Sequence, residues 1–223
     1  MKLALFDLDN TLLSGDTDFE WHAFLVEEGA LPPDALHENE RMDGSYRDGS
    51  ADVLEYVRFY LRPYARHDMR TLLAWRERFL EAKIVPKIAH GARGLVGSHD
   101  GDLAVMITAT NRFLTEPIAA ILGFRHLIAT DPETAEGRFT GDVAGTPCMR
   151  EGKIERLDAW LAARRQSLGD FRESWFYSDS INDLPLLSRV THPVAVDPDA
   201  RLERIARERN WRIITLRDGT GSP

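Results

Sequence analysis

Asp7 and Asp9 close an apolar run, Leu3 to Phe6, that has no helical stripe and leads into Asn10, Thr11, Ser14 and Gly15. Such a run suits a buried strand ending in a loop. Charged side chains are rarely buried unless they are paired or bound to metal. An apolar strand that ends in two acids therefore needs a reason, although a solvated turn would serve for the pair taken alone. At the junction of strand and loop the backbone can bring both carboxylates into one crevice.

A second apolar run, Trp175-Phe176-Tyr177, also ends in acids, with Ser178, Asp179, Ser180, Ile181, Asn182 and Asp183 following in order. Hard oxygen ligands from two strand ends suit Mg2+, which takes a few carboxylates and keeps several waters. Asn182 or Asp183 can equally cap a helix that has Pro185 in its first turn. Thr108 directly follows Leu103 to Ile107. Its hydroxyl and the next backbone N–H groups, starting at Ala109, can hold a phosphate oxygen; Thr110 competes for that role, and a turn residue is the plain alternative. Lys153 precedes an amphipathic stretch through Leu157, Trp160 and Leu161, where a lone lysine is most often solvated.

The elements that must position these residues alternate. Further apolar runs at Val194 to Val196 and Ile213 to Leu216 are separated by segments long enough for helices, the pattern of a parallel α/β sheet. Between residues 16 and about 85 helical spacings recur without a strand. Phe19, Ala23 and Val26 mark one helix, and Val53, Val57 and Tyr60 a second that Pro63 stops. Leu72, Phe79 and Lys83, with Leu73, Leu80 and Ile84, mark a third after an Asp68 cap. Placed straight after the first strand, such an insertion sits above the strand ends and can cover what binds there. Gly137, Gly141 and Gly145 predict turns or a hairpin, and the polar tail from Arg217 to Pro223 is expected to fray.

Composition narrows the function classes. The chain has 223 residues and a formal charge of -8, which argues against attraction to nucleic acid or anionic lipid; an anionic substrate would need a local positive site. Its single cysteine, Cys148, allows no internal disulfide and fits a reducing compartment, so a cytoplasmic protein is expected. Asp7 and Asp9 break the N-terminal apolar run before it reaches signal-peptide length. No later stretch approaches the roughly 20 apolar residues of a membrane span. The glycines at 91, 94 and 97 do not form a dinucleotide fingerprint.

Asp7-Leu8-Asp9-Asn10-Thr11 resembles the Asp-x-Asp-x-Thr signature of haloacid dehalogenase-like phosphatases. Thr108, Lys153 and Asp179 through Asp183 resemble the second, third and fourth motifs of that superfamily, in order. The helical insertion is similar to the cap of its phosphoserine phosphatase branch, which includes histidinol-phosphate phosphatases. The resemblance implies a Rossmann-like parallel sheet flanked by helices, with a core domain at 1–15 and 86–223 and a helical cap domain at 16–85. It further implies a phosphatase that hydrolyses a small-molecule phosphate ester, while the charge and apolar pattern predict no nucleic-acid or membrane partner.

By that resemblance Asp7 is the nucleophile that becomes an aspartyl-phosphate, and Asp9 is the general acid and base. Mg2+ would be held by Asp7, the Asp9 carbonyl and Asp179, with Asp183 acting through water. Thr108, Ala109, Lys153 and Asn182 would bind the phosphoryl group, and Asp16 would meet an amino group of the substrate. Phosphoserine and histidinol phosphate are the favoured esters. Thr108-Ala109-Thr110 departs from the serine and glycines usual in phosphoserine phosphatases, and no carboxylate-binding arginine can be singled out among Arg41, Arg47, Arg58 and Arg62. The alternatives are a phosphomutase or other phosphotransferase of the same superfamily, and a non-catalytic scaffold that binds phosphate or a partner.

Overall fold

Seven strands form one sheet in the computed structural model, which describes residues 2–217 except for the Arg47 side chain. They are β1 (Lys2–Phe6), β2 (Leu103–Asn111), β3 (Leu127–Ala135), β4 (Arg138–Ala144), β5 (Glu173–Ser178), β6 (His192–Val196) and β7 (Arg212–Ile214). Their spatial order is β4-β3-β2-β1-β5-β6-β7, and only the β3–β4 pair is antiparallel. Burial on both faces explains the unbroken apolar run of β1. Leu3 and Leu5 join one apolar cluster while Ala4 and Phe6 join the other, the two-residue alternation of a strand.

β1 lies between β2 and β5: the chain builds outward from it through β2 to β4, then returns to add β5 on its other side. A crevice opens beyond the carboxyl ends at such a switch point. Phe6 pairs with Met106 on one side and Tyr177 on the other. That register sets the ends of β1 and β5 level, which brings together residues about 170 positions apart in the chain.

Five helices flank the sheet: α5 (Ala92–Gly97), α6 (Arg112–Ile121), α7 (Glu151–Ala162), α8 (Leu184–Leu187) and α9 (Ala200–Glu208). Before them, between β1 and β2, the chain forms α1 (Thr17–Glu27), α2 (Ala35–Asp48), α3 (Val53–Leu61) and α4 (Met69–Phe79). Asp16, Asp52 and Asp68 cap α1, α3 and α4 through their carboxylates. α4 runs on as a π-helical turn over Leu80–Ile84, which carries the expected third helix through to Ile84. Trp21 packs among Phe24, Tyr64 and Phe79 inside this insertion. Its entry and exit strands are tied side by side, with Ser14 N–H donating to the Lys87 carbonyl at 2.7 Å and Ala89 N–H to that of Leu12 at 2.9 Å.

α2 was not among the expected helices. Its sequence, ALHENERMDGSYRD, offers little apolar periodicity beyond Met42 and Tyr46, and Asp34 makes no side-chain cap. The expected hairpin is β3–β4; at Gly141, where φ is 86°, a Cβ would meet the Arg62 Cα at 3.2 Å, so glycine lets the hairpin lie against the insertion. Arg217 does not fray: its guanidinium donates to the Asn10 carbonyl at 3.2 Å. The rest of that expected tail, 218–223, lies outside the described residues. Among the described residues no helix is long and apolar enough to cross a membrane.

Candidate active site

Asp7 continues β1, its N–H donating to the Tyr177 carbonyl at 2.9 Å, so its side chain starts from the end of the central strand. The following loop turns tightly, with the N–H groups of Leu12 and Leu13 on the Leu8 carbonyl and Asn10 at φ 56°. This turn brings the Thr11 hydroxyl to 3.0 Å from Asp179 Oδ1 and 3.3 Å from Asp7 Oδ2. The same oxygen accepts the Asp179 N–H at 3.0 Å. Thr11 thereby joins the ends of β1 and β5.

Lys153 is not solvated. It is 2 % exposed, and its Nζ donates at 2.7 Å both to Asp7 Oδ1 and to Asp183 Oδ2. Gly152 makes this possible. The turn before α7 is so close that a Cβ on Gly152 would lie 2.1 Å from the Pro147 carbonyl oxygen. Asp183 stands at the start of α8 yet makes no side-chain cap; its Oδ2 also accepts from the buried Ser178 hydroxyl at 2.7 Å. The bland capping role open to Asp183 in the sequence is thus absent. Asn182 lines the cleft and donates from Nδ2 to the Tyr46 carbonyl of α2 at 3.2 Å.

Asp9 is held on both sides. One oxygen accepts from the Thr17 N–H at 2.7 Å and from the Thr17 hydroxyl; the other accepts from the Thr110 hydroxyl at 2.7 Å, with the Thr108 hydroxyl farther away at 3.5 Å. β2 extends to Asn111, beyond the expected end at Ile107. Thr108 is consequently fully buried inside the sheet, while Ala109 and Thr110 line the cleft. Asp16 also lines the cleft, one carboxylate oxygen capping α1 through the Phe19 N–H at 2.8 Å.

Crowded carboxylates dominate the electrostatics. Burial pushes Asp7 up to about 7 against the opposing pull of Lys153, and Asp183 and Asp9 add repulsion. Burial also raises Asp9, although hydrogen bonds from Thr110 and Thr17 counter it. Burial and the Asp7 charge hold Asp179 well above the usual carboxylate range. For Lys153 burial disfavours the ammonium, but Asp183 and Asp7 more than offset it and keep the amine protonated. Asp7 and Asp179, joined through the Thr11 hydroxyl, bring hard oxygen atoms to one point, the donor type that a divalent cation takes. No ready-made group of three His, Cys, Asp or Glu ligands occurs among the described residues.

The surrounding cleft, of about 390 Å³, is walled on the side of the helical insertion by Asp16, Asp18, Asp43, Tyr46 and Tyr56. Arg201 and Arg217 stand at its rim on the sheet side. Sequence reasoning missed Thr17, Asp18, Asp43 and both tyrosines. Asp18 and Thr17 stood next to Asp16 and were within reach of motif reading; the α2 residues were not, because α2 itself lacks periodicity.

The model of the haloacid dehalogenase-like hydrolases matches residues 4–188. The chain belongs to that family. A histidinol-phosphatase of Neisseria meningitidis serogroup C (strain 8013) is 40 % identical over 220 residues, covering 97 % of this chain and 99 % of the relative. The phosphoserine phosphatase SerB1 of Mycobacterium tuberculosis H37Rv is 32 % identical over 223 residues, covering 96 % and 70 %. Among solved structures, a Bordetella pertussis Tohama I protein of unknown function superposes with a TM-score of 0.92 at 45 % identity, covering 96 % of this chain and 98 % of that one.

Proposed function

We propose that this chain is a Mg2+-dependent cytoplasmic phosphatase that hydrolyses a small amine-bearing phosphate monoester, with histidinol phosphate favoured over phosphoserine. The observation that carries the reading is the buried Asp7, held by Lys153 at the end of the central strand with Asp9 fixed two residues on. The segment 16–85 acts as a cap domain over a core of 1–15 and 86–223.

Asp7 attacks phosphorus as the leaving oxygen departs and takes a proton from Asp9. Water then attacks the aspartyl-phosphate, its proton passing to Asp9, and inorganic phosphate and free Asp7 result. Burial moves Asp9 toward the protonated form that a general acid needs, and the Thr17 and Thr110 hydrogen bonds fix its direction. Lys153 offsets charge on the phosphoryl oxygens, with Thr110 or Thr108 and the Ala109 N–H beside it. Mg2+ held by Asp7, Asp179 and the Asp9 carbonyl, with Asp183 outside them, would neutralise the charge between carboxylate and phosphate.

Histidinol phosphate is favoured for two reasons. The near full-length relative bears that activity in its name. Of the insertion's arginines, Arg41 pairs with Glu38 and Arg58 with Asp142, and neither lines the cleft to grip a carboxylate. Arg62 is exposed and does not line it either, while the Arg47 side chain lies outside the described residues. Asp16 supplies an acid for the ammonium.

The test is phosphate release from histidinol phosphate, phosphoserine, sugar phosphates and p-nitrophenyl phosphate, with Mg2+ or with chelator, for the wild type and Asp7→Asn. Metal-dependent release that Asp7→Asn abolishes is expected, with histidinol phosphate the best ester. A labelled phosphoenzyme trapped on Asp7→Asn would refute the nucleophile.

A further inference from the structure

Two parts of the site that lie far apart in the chain meet on one buried hydroxyl. From Ile107 to Asn111, β2 advances by four residues while β3 beside it advances by two, from Ile128 to Thr130. Thr108, Ala109 and Thr110 therefore stand opposite Ala129 alone, a bulge of the kind that re-aims side chains beside active sites. It carries the Thr110 hydroxyl that meets Asp9. A bulge leaves backbone groups outside the ladder, and here the Ala109 carbonyl accepts the Thr130 hydroxyl at 2.6 Å.

The Thr130 oxygen in turn accepts the Cys148 N–H at 3.0 Å. Cys148 stands in the loop that delivers Lys153 at the start of α7. That helix has no side-chain cap, and Arg150 just before it holds φ 50° and ψ -124°, a backbone conformation that persists only where the surroundings enforce it. Thr130 is 1 % exposed and Cys148 is fully buried, so bulk water cannot replace either bond. A buried threonine could be satisfied within its own strand; this one directs both bonds to the segments that carry Thr110 and Lys153.

We infer that Thr130 is a positioning residue: its hydroxyl links the bulge that holds Thr110 against Asp9 to the loop that holds Lys153 against Asp7, so that the acid and the cation of the site are set by one bridge. The inference rests on the phosphatase reading above and adds to it a residue that acts through others. Loss of the bridge displaces Lys153, which slows every ester, and loosens Asp9, which slows further those esters whose leaving oxygen must be protonated.

The experiment compares Thr130→Val and Thr130→Ser with the wild type on histidinol phosphate and p-nitrophenyl phosphate at saturating Mg2+. Thr130→Val should lower kcat for both esters by roughly 10-fold or more, more for histidinol phosphate, with KM nearly unchanged. Thr130→Ser keeps the hydroxyl and loses a methyl group, so it should restore most of the loss. Thr191→Val is the control: Thr191 donates to the Ser174 carbonyl at 3.0 Å and accepts the Ser174 N–H at 2.8 Å, the same pair of bonds at the amino end of β5, and its kcat should match the wild type. Wild-type kcat in Thr130→Val, or Thr130→Ser as slow as Thr130→Val, overturns the inference.

Cys148, the one cysteine of the chain, reports on the loop without turnover. It is fully buried and burial pushes its thiol up to about 12, so a thiol reagent reaches it when the loop opens. At a temperature where melting curves show every variant folded, Thr130→Val should label roughly 10-fold faster than the wild type, and Thr130→Ser and Thr191→Val at nearly the wild-type rate. Equal labelling of Thr130→Val and wild type refutes the link whatever the kinetics. If no ester releases phosphate yet Cys148 labels faster in Thr130→Val alone, the phosphatase reading fails while the link between the two segments stands.

Discussion

Lys153 Nζ lies 2.7 Å from Asp7 Oδ1, and both side chains are almost wholly removed from solvent. The ammonium is shared with Asp183 at the same distance. Removing one partner of a buried pair leaves the other uncompensated, at a cost of about 3–5 kcal/mol. Lys153→Ala should therefore lower stability as well as turnover, the latter by roughly 100-fold to 1000-fold, as for loss of one donor to a developing oxyanion. Steady-state kinetics at saturating Mg2+ and chemical denaturation check the two effects. Unchanged turnover would remove Lys153 from the chemistry.

Asp18 offers a pH test away from the proposed metal ligands. Burial, then the charge of Asp9, raises it to about 8. A carboxyl raised on folding binds its proton more tightly in the native state, so its contribution is fully present below the unfolded value near 3.8 and fades as pH rises through about 8. Asn cannot ionise, and it keeps an oxygen for the Asn111 donor. Asp18→Asn should gain on the wild type steadily as pH is raised from 5 to about 8, by about 1.4 kcal/mol for each step of one in pH. Parallel melting curves of the two proteins across that range would exclude the buried, protonated Asp18.

Much of this site was legible because acids at the end of an apolar strand are improbable without a function. The β1 and β5 runs and three helices of the insertion follow from local pattern, and the order of the motifs from the family resemblance. Two things did not. The β2 side chain that meets Asp9 most closely is Thr110, because the strand runs on to Asn111 through Thr108-Ala109-Thr110, and tertiary pairing sets where a strand stops. α2 stayed invisible because a polar helix is held by what it docks on: Asn39 bonds the Phe19 carbonyl and the Tyr60 hydroxyl, contacts that span about 20 residues. Asp43 and Tyr46, which line the cleft, ride on that helix.

Gly152 sits at a close backbone approach that no motif marks. A methyl group there would fall 2.1 Å from the Pro147 carbonyl oxygen, and backbone cannot yield as a flexible side chain does. Gly152→Ala should push the first turn of α7 away from the 147 loop and carry Lys153 with it. We expect a loss of about 1–3 kcal/mol, typical of overpacking, together with a fall in kcat larger than any change in KM. Thermal melts and kinetics of Gly152→Ala beside the exposed-site control Gly94→Ala, which meets nothing within 4 Å, check this. Equal behaviour of the two variants would show that the turn adapts.

Thr110 and Thr108 can be separated by removing each hydroxyl in turn. Thr110 donates to Asp9 at 2.7 Å, whereas Thr108 is 3.5 Å away and accepts from the Thr110 N–H at 3.2 Å. Thr110→Val should release one side of Asp9 and weaken its aim at the leaving oxygen. Its effect should therefore be greatest for esters whose poor leaving groups need protonation, and small for p-nitrophenyl phosphate, whose phenolate leaves unaided. Thr108→Val, if Thr108 holds a phosphoryl oxygen, should instead slow every ester alike. The ratio of kcat for an alkyl ester to that for p-nitrophenyl phosphate reads the difference directly: a fall of about tenfold or more confined to Thr110→Val assigns the positioning of the acid to Thr110. The same fall confined to Thr108→Val would reverse the assignment.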